Sequence, residues 1–352
     1  MKVLASAPGR AGILGNPTDG YGGAVMSCSL AERAAVTLAG SEVLRATVHL
    51  GSGRSDRVLS GELRHAEDLH LRGDELDVVR AVVRFLGRDG FAADIDISTE
   101  VPLRAGLAGS TAVLASLLAG ALFLSGRDPQ PDHPQYRYLL AEMVRTVELH
   151  FLEVQCGYQD QYMTVFGGLN YMDFRGKELY RTLDREPFAT IEPLGHLLNG
   201  LPFAIISTGQ ERVSGAVLKP VRDRWLEGDP IVRRGYREIA ELASLGKRAL
   251  LAQDWRTFAQ LMNQNHSIQQ QVGASGELID EAVDLALRAG AWGAKLAGAG
   301  GGGSIILLHP DFLGQSGEAL AGHPIASALL AKYPRASLIA PRPSPGVTCQ
   351  VL

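Results

Sequence analysis

The stretch from Ala112 to Leu124 carries no charged side chain, and only Ser116 and Gly120 interrupt its apolar residues. A helix that crosses a bilayer needs roughly 20 apolar residues, so this run is too short to span a membrane. A helix that is apolar on every face has to be buried. The stretch therefore predicts a helix in the core of a folded protein, and we expect no membrane partner.

The turn before this helix is rich in small residues. It runs from Pro102 to Thr111 and includes Gly106, Gly109 and Ser110. Small residues let backbone N–H groups approach an anion, and a helix N-terminus adds unsatisfied donors and partial positive charge. The spacing is not that of a Walker P-loop. The turn is typical of a phosphate site, although taken alone it also fits an ordinary helix cap.

A second glycine-rich segment, Gly293 to Ser304, lies between an amphipathic helix and a strand. A flexible linker would be flanked by polar residues, whereas apolar elements that have to pack flank this one. Ordering glycine costs backbone entropy, so a glycine loop inside the fold indicates a ligand close to the backbone. A tight connection without a ligand is the alternative.

Two further segments bring charged residues close to glycines. Pro8 to Gly23 contains Arg10 and Asp19, while Glu148 lies late on a predicted helix and Asp160 lies in a turn beyond it. Two carboxylates near a phosphate site suit one metal ligand and one general base. A single carboxylate taken alone is more often a solvated surface group.

The chain has 352 residues, more than one hydrophobic core usually needs, which favours two domains. Leu201 to Ser207 is typical of a buried strand that starts the second domain. The sequence thus predicts domains at 1–195 and 196–352, with a first strand at 2–7 that breaks at Pro8.

Charge and cysteine content exclude other classes. The net charge is −4 and there is no basic block, which argues against a nucleic-acid partner. The three cysteines are widely spaced and fit neither a disulfide framework nor a zinc site. We expect a protein of the reducing cytoplasm.

Taken in order, these segments resemble the motifs of the GHMP kinases, the family of galactokinase, homoserine kinase, mevalonate kinase and phosphomevalonate kinase. The N-terminal motif is similar, in shifted form, to Pro8 to Gly15. The remaining matches are Pro102, Gly106, Leu107, Ser110 and Ala112 for the central motif, Lys295, Gly298 and Gly300 to Gly302 for the C-terminal motif, and Glu148, Cys156, Gly157, Asp160 and Gln161 for the sugar-kinase branch.

Within the family, the chain most resembles the glucuronokinases, and bacterial heptose-phosphate kinases come next. The similar segments are Leu14 to Asp19, Gly157 to Asp160, Gly167 to Phe174, Val221 to Asp229 and Leu261 to Asn265. Two departures stand out. Asn16-Pro17 replaces the Glu-His pair of galactokinases, which argues against galactose, and Ala108-Gly109 replaces the usual Gly-Ser.

The resemblance implies an α+β fold: an N-terminal domain with a left-handed βαβ unit and a ferredoxin-like C-terminal domain. It also implies an ATP-dependent, Mg²⁺-dependent kinase that phosphorylates a sugar, at the anomeric hydroxyl of a uronate such as D-glucuronate. The implied roles are catalysis by Asp160 and Arg10, ATP-phosphate binding by Pro102, Gly106, Leu107, Ala108, Gly109, Ser110 and Thr111, Mg²⁺ binding by Ser110 and Glu148, and substrate binding by Asn16, Asp19, Gln159, Gly300, Gly301 and Gly302.

Several alternatives stay open. Another hexose or a heptose phosphate could be the acceptor, and Arg222 or Arg224 could face a uronate carboxylate or be surface charges. An ATP-dependent decarboxylase shares the fold, and a non-catalytic sensor of ATP and sugar is also possible because fold does not fix function.

Overall fold

The computed structural model describes residues 1–50, 57–87, 91–102, 104–127, 130, 133–177, 186–198, 200–209, 214–298 and 303–352. Its strands are β1 (Lys2–Leu14), β2 (Ala24–Gly40), β3 (Leu44–Leu50), β4 (Arg57–Leu63), β5 (Ala93–Thr99), β6 (Leu169–Asp173), β7 (Thr190–Pro193), β8 (Phe203–Ser207), β9 (Gly293–Leu296), β10 (Ser304–Leu308), β11 (Ser337–Ile339) and β12 (Thr348–Val351). Its α-helices are α1 (Asp77–Leu86), α2 (Gly109–Leu124), α3 (Pro134–Thr146), α4 (Gln159–Phe166), α5 (Ser214–Leu226), α6 (Pro230–Leu251), α7 (Trp255–Val272), α8 (Glu277–Arg288), α9 (Gly317–Ala321) and α10 (Pro324–Lys332).

The first sheet has the strand order β12-β1-β2-β5-β3-β4, and β6 and β7 extend it from the far end of β2. Its pairs are antiparallel except for β3 with β5. The predicted buried helix is α2, which packs against β1 and β2 and is buried along nearly its whole length. Its missing polar face is thus explained by neighbours on every side.

The second sheet has the order β11-β8-β10-β9 and is antiparallel. Strand β8 is buried on both faces. Phe203 and Ile205 join the large core that reaches into the first sheet, while Ala204 and Ile206 join a second core against α8 and α10. A strand covered on both faces reads as a continuous apolar run, which is why its sequence signal was strong.

The two predicted domains are more closely joined than the sequence suggests. One core cluster spans both sheets, and β12, at the end of the chain, pairs with β1. The boundary at 195/196 stays a prediction; it falls between β7, in the first sheet, and β8, in the second.

The predicted end of the first strand at Pro8 is wrong. Strand β1 continues to Leu14, with register shifts between Pro8 and Arg10 and again between Gly12 and Leu14. A bulge accommodates a proline because the ladder is already interrupted there. The continuation matters because it carries Arg10 to the end of the sheet next to α2.

Among the described helices, none is long and apolar enough to cross a membrane. The cytoplasmic location inferred from the cysteines stays a prediction.

Candidate active site

A cavity of about 660 Å³ lies at the N-terminus of α2. Its walls come from the segment after β1, the turn before α2, the segment between Glu148 and Asp160, and helix α5. Of the predicted site residues, the cavity brings together Arg10, Asp19, Gly106, Ala108, Gly109, Ser110, Thr111, Glu148, Gln159 and Asp160. Residues that are up to 150 positions apart along the chain, such as Arg10 and Asp160, therefore share one wall.

Arg10 and Asp160 form an ion pair at the centre of this wall. Arg10 Nε donates to Asp160 Oδ1 at 2.8 Å, and Arg10 Nη1 donates to the Gly106 carbonyl at 2.7 Å. The arginine side chain is 4% exposed and the aspartate side chain 31%. The carboxylate is thus fixed in place yet open to the cavity. Asp160 lies in the first turn of α4, not in the turn that the sequence predicts, so the helix also orients it.

Glu148 lies on a π-helical turn, Val147–Phe151, and is buried beside the turn before α2. Gln161 Nε2 donates to its Oε2 at 2.7 Å, and Thr111 Oγ1 lies 3.2 Å from both carboxylate oxygens. Burial raises the pKa of Glu148 to about 7, and the negative charge of Asp160 adds to the shift. A divalent cation would offset the free-energy cost of burying the ionised Glu148 carboxylate. Carboxylate and hydroxyl oxygens are the ligands that Mg²⁺ prefers, so the residues fit such an ion.

The turn before α2 has the backbone of an anion site. Gly106 and Ala108 have positive φ angles of 76° and 58°. These angles bend the chain directly before α2, whose first backbone N–H groups follow. Ser110 is exposed to the cavity and Thr111 is buried. A left-handed alanine is strained by roughly 1–2 kcal/mol, and such strain concentrates at functional sites.

Of the predicted phosphate-binding residues, Leu107 supports this turn from behind. Leu107 is fully buried, and its carbonyl accepts a 2.9 Å hydrogen bond from the Arg10 backbone. Neither Leu107 nor Pro102 lines the cavity, so their roles in phosphate binding stay predictions.

Asp19 also lines the cavity, is buried, and accepts from the backbone N–H groups of Tyr158 and Gln159 at 2.7 and 2.9 Å. Burial raises its pKa, against the effect of these two bonds. A side chain at Gly157 would overlap the Asp19 carboxylate, so glycine is required there. The Gln159 amide donates to Ser27 Oγ at 3.1 Å.

Asn16 does not line the cavity. Its side chain accepts from Lys295 Nζ at 2.7 Å and donates to the Gly298 carbonyl. Its predicted contact with substrate therefore stays a prediction without support from its position. Gly300, Gly301 and Gly302, predicted to bind substrate, lie outside the described residues.

Helix α5 contributes two cations, of which the sequence indicates Arg222 as a candidate but not Lys219. Lys219 and Arg222 line the cavity, and Arg222 donates to Gln155 at 3.0 Å and to Asp223 at 2.9 Å. Arg224 instead bonds Asp229 and the Val272 carbonyl. The three-residue spacing of Lys219 and Arg222, which places them on one helix face, is the signal that could have separated them from Arg224.

Cys156 also lines the cavity. Burial raises the pKa of its thiol well above the usual value, and the charge of Glu148 adds to the shift. Because the thiolate is the nucleophilic form, the residue is not suited to covalent catalysis.

Away from the cavity, His309, Asp311 and His323 are the one group among the described residues that could hold a metal. Both histidines cap helices: His309 Nδ1 accepts from Asp311 N–H and His323 Nδ1 from Ile325 N–H, each at 3.3 Å. This pattern places the proton of each neutral ring on Nε2, whereas a metal-bound histidine usually donates through its second nitrogen. We interpret the group as two helix caps.

The family comparisons agree with this geometry. Residues 76–168 match the model described as "GHMP kinases N terminal domain", and residues 247–314 match "GHMP kinases C terminal". Glucuronokinase 1 of Arabidopsis thaliana is 28% identical over 324 residues, which is 86% of this chain and 83% of that protein. A mevalonate kinase of Methanothermobacter thermautotrophicus is 27% identical over 312 residues, 88% of this chain and 91% of that protein.

Solved structures show the same fold. Galactokinase of Lactococcus lactis, complexed with galactose, superimposes with a TM-score of 0.72 at 18% identity and covers 99% of this chain and 95% of its own. A D-glycero-D-manno-heptose 1-phosphate kinase from a Bacteroides species gives 0.68 at 19% identity and covers 99% of each chain.

Proposed function

Because this chain belongs to the GHMP kinases and is an ATP-dependent kinase, we propose that it phosphorylates a uronate sugar such as D-glucuronate at the anomeric hydroxyl. The observation that carries the proposal is the fixed Asp160 carboxylate, held by Arg10 between the anion turn and a cationic helix face. The glucuronokinase relatives support the choice of sugar.

Asp160 is the proposed general base. Its carboxylate is partly open to the cavity, while its Oδ1 is held by Arg10, so the acceptor hydroxyl can approach a base of defined position. Arg10 is the proposed electrostatic partner of the transferring phosphoryl group. Phosphoryl transfer depends mainly on positioning and charge stabilisation, which is what a buried, doubly anchored arginine supplies.

The proposed nucleotide site is the turn before α2, where backbone N–H groups and the helix dipole favour phosphate. Ser110 and Glu148 would hold Mg²⁺, and the hydroxyl of Thr111 lies beside Glu148. When bound, the ion neutralises charge on the nucleotide phosphates.

The proposed acceptor site lies between Asp19 and α5. Asp19 can accept from sugar hydroxyls, and Arg222 can hold the uronate carboxylate by a charge-assisted pair of hydrogen bonds. In the structure, Arg222 contacts Gln155 and Asp223. We propose that the carboxylate replaces Gln155 as its partner.

A sugar phosphate is the second candidate acceptor. Lys219 and Arg222 together form a cationic wall that suits a phosphate as well as a carboxylate. The similarity in fold to the heptose 1-phosphate kinase is compatible with this alternative but does not select it.

An ADP-release assay with MgATP tests the proposal. The acceptors are D-glucuronate, D-glucose, D-galactose, mevalonate and a heptose phosphate, and Asp160→Asn is the blank. We expect Asp160-dependent turnover on D-glucuronate and little on neutral D-glucose. Turnover on the heptose phosphate alone would select the second candidate, and ATP binding without turnover on any acceptor would favour a sensor.

A further inference from the structure

Lys295 is a buried lysine that the proposed mechanism does not use. It lies on β9 and is fully buried. Its ammonium donates to Asn16 Oδ1 at 2.7 Å, to the Leu296 carbonyl at 2.6 Å and, more weakly, to the Gly12 carbonyl at 3.5 Å. All three accepting oxygens are uncharged. Burial without a counter-ion lowers the pKa of Lys295 well below its usual value, and the positive charge of Arg10 adds to the shift. A lysine kept at such a position indicates a specific role.

Asn16 also contacts a second segment. Its Nδ2 donates to the Gly298 carbonyl, at the start of the glycine-rich segment. The backbone of the same turn is held by α7, since Gln269 Nε2 donates to Asn16 O at 3.0 Å and Gly15 N donates to Asn265 Oδ1 at 2.9 Å. One asparagine thus joins the loop that carries Asp19 to Lys295 and Gly298.

Gly298 in turn packs against the anion turn. A side chain at 298 would lie 3.0 Å from the Gly106 carbonyl oxygen, so the two backbones touch. That same carbonyl accepts from Arg10 Nη1 at 2.7 Å. The contacts therefore run without a gap from Lys295 through Asn16 and Gly298 to Gly106, the residue that Arg10 holds.

We propose that Lys295 and Asn16 are positioning residues that hold Gly298 against Gly106 and so fix the anion turn for MgATP. Neither side chain lines the cavity, so the effect on nucleotide passes through Gly298. Loss of Asn16 removes the donor to Gly298 and one acceptor of Lys295, while loss of Lys295 leaves Asn16 Oδ1 without its donor. In either case Gly298 can move away from the turn. A chain of contacts becomes evidence for coupling only when its members are shown to act together.

The variants are Lys295→Met, Asn16→Ala and the double variant, with the MgATP dissociation constant measured by calorimetry on folded protein. We expect each single variant to weaken MgATP binding about tenfold and the double variant to weaken it no further, because partners in one network are not additive. Asn263→Ala is the matched control. Asn263 also joins α7 to β9, through Trp292 O and Ala294 N, and its loss should leave the dissociation constant within about twofold.

Asn16→Asp separates positioning from mere stability. Aspartate keeps an acceptor for Lys295 but lacks the donor to Gly298. We expect it to restore the thermal stability lost in Asn16→Ala while MgATP binding stays weak. MgATP affinities of Lys295→Met and Asn16→Ala within twofold of the wild type, or additive losses in the double variant, would overturn the proposal.

The sugar reaction gives a separate reading, which rests on the proposed function. With D-glucuronate, we expect kcat to fall in Lys295→Met and Asn16→Ala and to remain near wild type in Asn263→Ala. Absence of any sugar turnover by the wild type would contradict the proposed acceptor, while the MgATP measurements would still decide the role of Lys295 and Asn16.

Discussion

The two halves of the cavity are built in different ways. The proposed nucleotide half comes from the turn and helix N-terminus at Arg104 to Thr111, with Glu148 behind it. The proposed acceptor half is assembled from the loop after β1, a strand of the first sheet, and from one face of α5, which follows β8 of the second sheet. A continuous motif can be recognised in sequence, whereas a wall made of separate helix side chains cannot. The type of reaction can thus be predicted from the sequence, whereas the substrate is much harder to predict.

Loss of the proposed base should have the largest effect and should spare the nucleotide half. Asp160→Asn removes the group that accepts the hydroxyl proton, so we expect kcat to fall by about 10³-fold. MgATP binding should change little. Steady-state kinetics and calorimetry on the same sample check both, with Asp173→Asn, on β6 and paired with Arg175, as the control. Near-normal turnover of Asp160→Asn would place the base elsewhere.

Glu148 tests the nucleotide half through pH. Its pKa is raised from 4.5 to about 7 by burial, so the folded state holds a proton that the unfolded state releases. Without Mg²⁺, the free energy of unfolding should therefore fall as pH rises from 4.5 towards 7. Mg²⁺ competes with that proton, so its apparent affinity should rise between about pH 6 and pH 8.

The check is the Mg²⁺ concentration for half-maximal rate, measured across this pH range at saturating ATP. Glu148→Gln cannot ionise, so we expect the Mg²⁺ concentration for half-maximal rate to be much higher in this variant and to lose the pH dependence of the wild type. A pH dependence that is unchanged in Glu148→Gln would remove Glu148 from the proposed metal site.

Arg222 tests the acceptor half. If it holds a carboxylate, its loss removes a charge-assisted contact of roughly 1.5–3 kcal/mol, and the KM for D-glucuronate should rise about 10- to 100-fold at nearly constant kcat. Arg224→Ala is the matched control, because Arg224 is on the same helix but pairs with Asp229. Equal effects of the two variants would show that α5 acts only as a scaffold.

Much of the site could be predicted because its motifs are short continuous segments whose residue types indicate what they can bind. Small residues before an apolar helix made the anion turn recognisable, and the resemblance to the GHMP kinase motifs indicated that Glu148 and Asp160 lie beside it. The spacing of Lys219 and Arg222 could have separated Arg222 from Arg224, but only the fold shows that this face of α5 lines the cavity. Nor could the sequence predict that Asn16 contacts Lys295, because contacts between residues 279 positions apart depend on how the two sheets pack.

The smallest expected effect concerns the strain in the nucleotide half. Ala108 has a φ of 58°, a conformation that costs alanine roughly 1–2 kcal/mol and glycine almost nothing. Ala108→Gly should therefore raise the free energy of unfolding by about 1 kcal/mol, less the greater entropy that glycine loses on folding. Ala115→Gly, within the helical part of α2, should lower it by about 1 kcal/mol or more. Denaturant unfolding of the pair gives the two signs. Destabilisation by both would mean that the methyl group of Ala108 packs well enough to outweigh its backbone strain.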